Sequence, residues 1–251
     1  MHPVLFKIGP ITIYSYGVML ATAVLVCTYL LSLDAKRSNI SQDTAYDLVF
    51  WCLVGGFIGA RIFYIFLEWP YYSANPLAIP MIWEGGLAWQ GGFIGGILSG
   101  VWFVRRHKLF IRPTLDLVAP YIALGQSIGR IGCFLKGCCY GKPVSWGPYY
   151  PVHHARLYPT QLFECAMLFV IFLVLKKAQS KPHMAGFIFV LYLWLAAVER
   201  FVVEFFRGDT VPTGTPLSLA QYVAIGVFIS GLVLLKVFKK NEANAYRRPG
   251  A

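Results

Sequence analysis

Gly125–Gly141 reads GQSIGRIGCFLKGCCYG, an apolar, glycine-spaced helix that carries an arginine and runs out into a cysteine-rich loop. A guanidinium at membrane depth costs at least about 2.5 kcal/mol on insertion scales, so Arg130 is kept there only if it faces a cavity, a partner or an anionic ligand. We read it as ligand-facing. The composition of the rest of the chain puts it at that depth: 57% of the 251 residues are hydrophobic and 13% are charged, and the mean hydropathy is +0.60. Such a chain is made for lipid rather than for water. The net charge of +11 does not argue for nucleic acid, because the basic residues lie between apolar runs and not on one polar surface. No nucleic-acid partner is expected.

Seven apolar runs are long enough, or nearly so, to cross a hydrocarbon core of about 30 Å, which takes about 20 helical residues. They lie at Ile13–Leu33, Leu48–Leu67, Leu87–Val104, Leu117–Leu135, Thr160–Leu175, Met184–Phe206 and Leu217–Leu235. Lys36, Arg37, Arg105, Arg106, Lys108, Arg112, Lys176, Lys177, Lys181, Lys236, Lys239, Lys240, Arg247 and Arg248 follow the odd-numbered runs, which puts 14 of the 22 basic residues on one side. The other side has only Lys7, Lys136, Lys142, Arg156 and Arg207. The positive-inside rule then sets the N-terminus outside and the C-terminus in the cytoplasm. The first run has no basic leader and no A-x-A site, and reads as a retained span rather than a cleaved signal. The expected fold is an all-α polytopic membrane protein with seven transmembrane helices, one continuous membrane domain over residues 1–251, its outer loops forming an interfacial arm or head.

This orientation turns scattered polar residues into a group. Tyr16, Gln90 and Glu164 fall early in spans that enter from outside, while Arg61, Arg130, Arg200 and Glu204 fall late in spans that leave the cytosol. All seven are thus expected in the outer half of the membrane, where side chains from six helices converge only if the bundle encloses a polar chamber. Arg200, Glu204 and Arg207 stand at i, i+4 and i+7, on one helix face, with Glu204 able to pair with either arginine. Glu199 points about 100° away and is read as packing or interface-facing.

The words GGFIG occur at Gly55–Gly59 and again at Gly91–Gly95. No strand precedes them, so a phosphate loop is a poor account, and close helix approach through small residues is a better one. The alternative is that backbone amides at Gly91 and Gly92 face a lipid headgroup beside Arg61 and Gln90. Among the cysteines, Cys27, Cys52 and Cys165 read as small buried hydrophobes. Cys133, Cys138 and Cys139 lie at or beyond the outer end of the fourth run. Four-ligand zinc spacing is absent, and three thiols used as small residues are preferred to a disulfide. The outer segments Glu68–Gly86 and Lys136–Pro159 are rich in aromatic residues, which suits anchoring at headgroup level.

Taken together, MHPVLFKIGPITIYSYGVM at the N-terminus, WEGGLAWQGGFIGG at Trp83–Gly96, the central GQSIGRIGCFLKGCCYG, LYPTQLFE at Leu157–Glu164 and ERFVVEFFRGD at Glu199–Asp209 resemble the phosphatidylglycerol–prolipoprotein diacylglyceryl transferases. The resemblance runs in order over nearly the whole chain. It implies a bacterial inner-membrane enzyme, active towards the outer leaflet, that moves the diacylglyceryl group of phosphatidylglycerol onto the lipobox cysteine of a prolipoprotein and releases glycerol phosphate. It places an essential tyrosine at Tyr16, the signature arginine at Arg130, the signature glycine at Gly141, and a later arginine and glutamate at Arg200 and Glu204. Tyr16, Arg130, Arg200 and Glu204 are the expected catalytic residues; Arg61, Gln90, Gly91, Gly92, Cys133, Gly141, Glu164 and Arg207, with Arg130, are expected to bind substrate. In three places the chain departs from the commoner pattern, with Gln90 for a histidine, Cys133 for an asparagine and Cys138 for a glutamate.

Alkyl transfer of this kind needs an anion clamp on the departing phosphate and a thiolate nucleophile, and calls for no metal or organic cofactor. Arginine supplies a planar two-point clamp that lysine does not reproduce. Gln90 cannot take a proton from a thiol near neutral pH, so the acceptor is Glu204, a loop histidine (His153 or His154), or no group at all if the arginines favour the thiolate directly. A lipid or solute transporter and an intramembrane thiol oxidoreductase are the rival readings; the first lacks paired broken helices and the second lacks a further thiol pair.

Overall fold

The computed structural model describes residues 1–246 apart from Pro10, Asn39, Ile82, Glu84 and residues 211–213, and the side chains of residues 8, 11, 37 and 241–246 are not described. Arg247 and Arg248, which entered the charge count, and Glu84 of the WEGG motif lie outside the described residues. The elements are α1 (Ser15–Ala35), α2 (Gln42–Leu67), a short α3 (Trp69–Ala74), α4 (Trp89–Arg106), α5 (Ile111–Lys136), α6 (Thr160–Gln179), α7 (Phe187–Val203) and α8 (Leu219–Tyr246). Each apolar run is thus occupied by one long helix whose ends lie within about two turns of the predicted ones, except that α8 runs on past Leu235 to Tyr246. By length and composition α1, α2 and α8 are able to cross a membrane, and in their most apolar stretches no more than 22% of the residues are buried. Leu25 and Phe66 are 70% and 73% exposed. Water does not tolerate apolar faces of that extent, whereas lipid covers them and the helix satisfies its own backbone. The chain is a helical membrane protein.

The all-α expectation needs a correction, because two short hairpins are present. Val4–Ile8 (β1) pairs antiparallel with Ile11–Tyr14 (β2), and Tyr149–Tyr150 (β3) with Ala155–Arg156 (β4). Ile11-Thr12-Ile13-Tyr14 alternates with the period of a strand rather than a helix, and Gly9, at φ 58°, supplies a left-handed turn residue beside it. The first helix therefore starts at Ser15 and not at Ile13. Buried Ser15 ties the two together: its amide donates to the Pro3 carbonyl at 3.0 Å and its hydroxyl to the His2 carbonyl.

Backbone proximity groups the chain into two compact units, Met1–Leu31 with Leu115–Ala251, and Ser32–Thr114. Both boundaries fall inside helices, α1 and α5, where no linker composition marks them.

In the first unit Ala119 and Ala123 of α5 pack with Leu168, Ile171 and Leu175 of α6 and Ile188 and Tyr192 of α7. Pro120 sits inside α5. Its ring nitrogen cannot donate to the carbonyl four residues back, and that carbonyl, on Asp116, instead accepts from Gln179 Nε2 at 3.1 Å. The Asp116 carboxylate caps the start of α7, accepting from the amides of Gly186 at 2.6 Å and Phe189 at 2.9 Å. These amides have no partner within the first turn, and a carboxylate suits the positive end of the helix dipole.

In the second unit α2 and α4 press backbone to backbone through the two GGFIG words. A methyl group on Gly95 would lie 2.2 Å from the Gly55 carbonyl oxygen, and one on Gly59 would lie 2.4 Å from that of Gly91. Small residues that let helix backbones approach are a main source of packing in lipid. Gly95→Ala should accordingly lower stability by about 1–3 kcal/mol, the usual cost of overpacking. Gly226, whose methyl would meet nothing within 4 Å, is the control: Gly226→Ala should be neutral or slightly stabilising. Thermal unfolding of both variants in detergent checks this, and equal midpoints would remove the close-approach account.

The same unit gives Arg61 its partners. Its guanidinium donates to the carbonyls of Ile79 at 3.0 Å, Gly85 at 2.7 Å, Gly86 at 3.1 Å, Ala78 at 2.9 Å and Met81 at 3.3 Å, and it lies 5.3 Å from the Tyr72 ring centre. The aromatic arm between α2 and α4 is thereby fastened to α2 from within.

Candidate active site

The site lies in the first unit and is built around Glu164, on the first turns of α6 and fully buried. Three arginines approach it: Arg130 Nε at 3.1 Å, Arg200 at 3.4 Å and Arg207 at 3.7 Å. The three come from different places, the last turns of α5, the last turn of α7 and the segment after it. Helix α7 ends in a 3-10 turn, Glu204–Phe206, which brings Glu204 to 2.8 Å from Arg200 and 3.8 Å from Arg207. Ser218 donates to the other Glu204 oxygen at 2.8 Å. Arg207 is held further by a two-point pair with Asp209 at 2.9 and 2.8 Å. Buried charges are tolerated only when compensated in this way.

In front of this cluster is a cavity of about 480 Å³ lined by Tyr16, Leu20, Gly125, Gln126, Arg130 and Glu199, among others, with Cys133 and Arg200 also in its wall. Gly132 lets α5 come this close to α1, because a methyl there would stand 3.1–3.2 Å from Met19 and Tyr16. Arg130 makes one ion pair among the described residues, through Nε, so its two terminal nitrogens are left over at the cavity. Arg200, by contrast, has both terminal nitrogens engaged by glutamates.

The outer loop after α5 is fixed by the other motifs. Gly141 donates to the Tyr158 carbonyl at 2.9 Å, Lys142 to that of Phe206 at 2.9 Å, and Gly208 to that of Tyr140 at 3.0 Å. Gly141 also forms a bridge with Arg207. A methyl on Gly141 would be 2.6 Å from the Tyr158 carbonyl and 2.8 Å from that of Phe206. It is the point where GCCYG, LYP and FFRGD are laced together, and only glycine fits. Fully buried Thr160 and Gln161 clamp the same loop, donating to the carbonyls of Cys139 at 2.8 Å and Cys138 at 2.7 Å. Cys133, Cys138 and Cys139 are free thiols. The Cys139 thiol is held well below the ordinary thiol range by hydrogen bonds from Cys133 and Cys138, with Arg207 and Arg130 adding to the effect.

The family model for prolipoprotein diacylglyceryl transferase matches residues 3–237. The chain belongs to the prolipoprotein diacylglyceryl transferase family. Similar proteins include the phosphatidylglycerol–prolipoprotein diacylglyceryl transferases of Staphylococcus carnosus, 35% identical over 94% of this chain and 90% of the relative, and of a Nostoc species, 35% identical over 95% and 90%. That of Clostridium tetani is 31% identical over 94% of this chain and 98% of its own length.

Of the positions expected to serve a member of this transferase family, Tyr16, Arg130, Cys133 and Arg200 line the cavity. Glu164, Glu204 and Arg207 are not in its wall; they hold the arginines and one another. Gly141 shapes the loop. Gln90, Gly91 and Gly92 belong to the second unit, where Gln90 is exposed and the glycines lie against α2, and no Arg61 nitrogen is spared from the carbonyls of the arm. Glu199, read from periodicity as packing or interface-facing, instead lines the cavity, with a buried Oε1 that has no hydrogen-bond partner among the described residues. Asp209 and Gln126 were not singled out by sequence either. A charged residue directly before Arg200 in an apolar helix was the available signal for Glu199, and the R-G-D spacing that for Asp209.

Proposed function

We propose that the chain transfers the diacylglyceryl group from phosphatidylglycerol to the lipobox cysteine thiol of a prolipoprotein, with glycerol phosphate as the leaving group. The donor and acceptor follow the names of its relatives. The observation that carries them to this chain is Arg130, which lines the cavity with both terminal nitrogens uncommitted among the described residues. A phosphodiester seated there receives a planar two-point contact. That contact strengthens as the departing oxygen takes up charge, so it favours the transition state over the bound lipid. Arg200 in the same wall adds positive charge, and Tyr16 lines the same cavity.

All seven long helices are taken to span the cell membrane, N-terminus outside and C-terminus in the cytoplasm, which sets the cavity in the outer half where donor lipid and the secreted acceptor are both at hand. The distribution of basic residues supports this orientation. Family membership disfavours the transporter and oxidoreductase readings. The test is incubation of the full chain in detergent or liposomes with labelled phosphatidylglycerol and a lipobox peptide. A thioether-linked product with one glycerol phosphate released per peptide is expected; labelled lipid and peptide both recovered unchanged would overturn the proposal.

A further inference from the structure

The sulfur atoms of Cys133, Cys138 and Cys139 lie within 4.8 Å of one another, although their C-x4-C-C spacing announces no metal site. We infer that these three thiols form a zinc site whose fourth position is open to the cavity and takes the thiol of the acceptor peptide. Zinc–sulfur bonds of ~2.3 Å in a tetrahedron put the sulfurs roughly 3.8 Å apart, so a contraction of an ångström or less, within reach of side-chain rotation, closes the site.

The loop is held in place independently of any ion. Cys133 lies in the last turn of α5, its carbonyl accepts from the amides of Gly137 at 2.9 Å and Cys138 at 3.2 Å, and buried Thr160 and Gln161 grip the carbonyls of the next two cysteines. Cys139 is kept at φ 61°, a left-handed conformation that a non-glycine residue adopts only when its surroundings impose it. That turn brings the third sulfur back to the other two. Three thiolates on a divalent ion leave one negative charge, and Arg130 lines the same cavity as Cys133.

Three protein ligands with one open position is the form of a catalytic zinc site, whereas structural sites are closed by four. Cys133 is in the cavity wall, and it is on that side that we place the open position. There the incoming thiol binds as thiolate and its proton passes to solvent, since a thiol on zinc is deprotonated outright. The sulfur attacks the glyceryl carbon, the carbon–oxygen bond breaks, and its electron pair leaves with glycerol phosphate. The thioether formed is a weak ligand and is released, reopening the position. This step rests on the proposed transfer reaction and accounts for a chain with Gln90 and no histidine in that place; the metal site itself does not depend on it.

The experiment uses the full chain purified in detergent, loaded with zinc and, separately, with cobalt(II). Expected are about one zinc per chain by mass spectrometry, thiolate-to-cobalt charge-transfer absorption and the intense visible bands of a tetrahedral ion. Metal content should fall to background in Cys138→Ser and Cys139→Ser. A lipobox peptide should shift the visible bands, and the same peptide with serine for cysteine should not. A transfer-active wild-type preparation that takes up no metal would overturn the site and leave the transferase reading standing. Bound cobalt whose spectrum ignores the cysteine peptide would overturn the role of the fourth position. Metal uptake with the peptide-dependent shift but without lipid transfer would support the site and count against the transferase reading instead. The wild-type arms decide even if a serine variant fails to accumulate.

Discussion

Glu164→Gln is expected to lower stability by about 3–5 kcal/mol, the cost of leaving a buried ion-pair network without its partner. Glu164 is fully buried and faces Arg130, Arg200 and Arg207 at 3.1, 3.4 and 3.7 Å. Glutamine preserves shape and one acceptor oxygen but withdraws the charge, so three guanidiniums are set against one another. Glu204 and Asp209 still neutralise Arg200 and Arg207 in part. Arg130 has no other ion-pair partner among the described residues, so the loss concentrates there. Denaturation of the purified protein in detergent, or its accumulation in membranes, measures the effect. An unfolding midpoint equal to that of the unsubstituted chain would show that Glu164 is not the common counter-ion.

Arg130→Lys should act on turnover and hardly on folding. An ammonium can keep a pair with Glu164 or meet a phosphate, but it has no fork that does both. Loss of one or two charged hydrogen bonds of about 1.5–3 kcal/mol each corresponds to a transfer rate reduced roughly tenfold or more. Initial rates with phosphatidylglycerol and lipobox peptide, read beside thermal unfolding, separate this variant from Glu164→Gln. Near-normal turnover in the lysine variant would remove the phosphate-clamp role.

The parts of the site that were legible in sequence are those where an apolar setting makes a polar residue costly. Arg130, Glu164, Arg200 and Glu204 stand out because a charge in a span demands a partner, and the structure supplies each with one. Arg61 stands out for the same reason, but its partners are backbone carbonyls, which leave no trace in residue identity. Glu199 was misdirected by helical periodicity: its 100° offset from Arg200 separates them on a wheel, yet a cavity that wraps the helix takes in both directions. The first hairpin was hidden because Ile11–Tyr14 is as apolar as the span that follows it. The cysteines were hidden because their convergence depends on the end of α5 and one left-handed residue, not on spacing. Close helix approach at Gly55–Gly59 and Gly91–Gly95, in contrast, was legible in the small residues of each word, and the structure adds that the two words face each other.

Glu164 has a kinetic consequence as well as an energetic one. A carboxylate carried by the chain cannot diffuse away, so its effective concentration beside the guanidiniums stays high whatever the solution contains. On the proposed reading, a phosphate in the cavity shares the Arg130 guanidinium with this resident anion. Its affinity is then held down by one factor for the lipid and for the departing glycerol phosphate alike, and either anion is let go sooner than from a bare arginine.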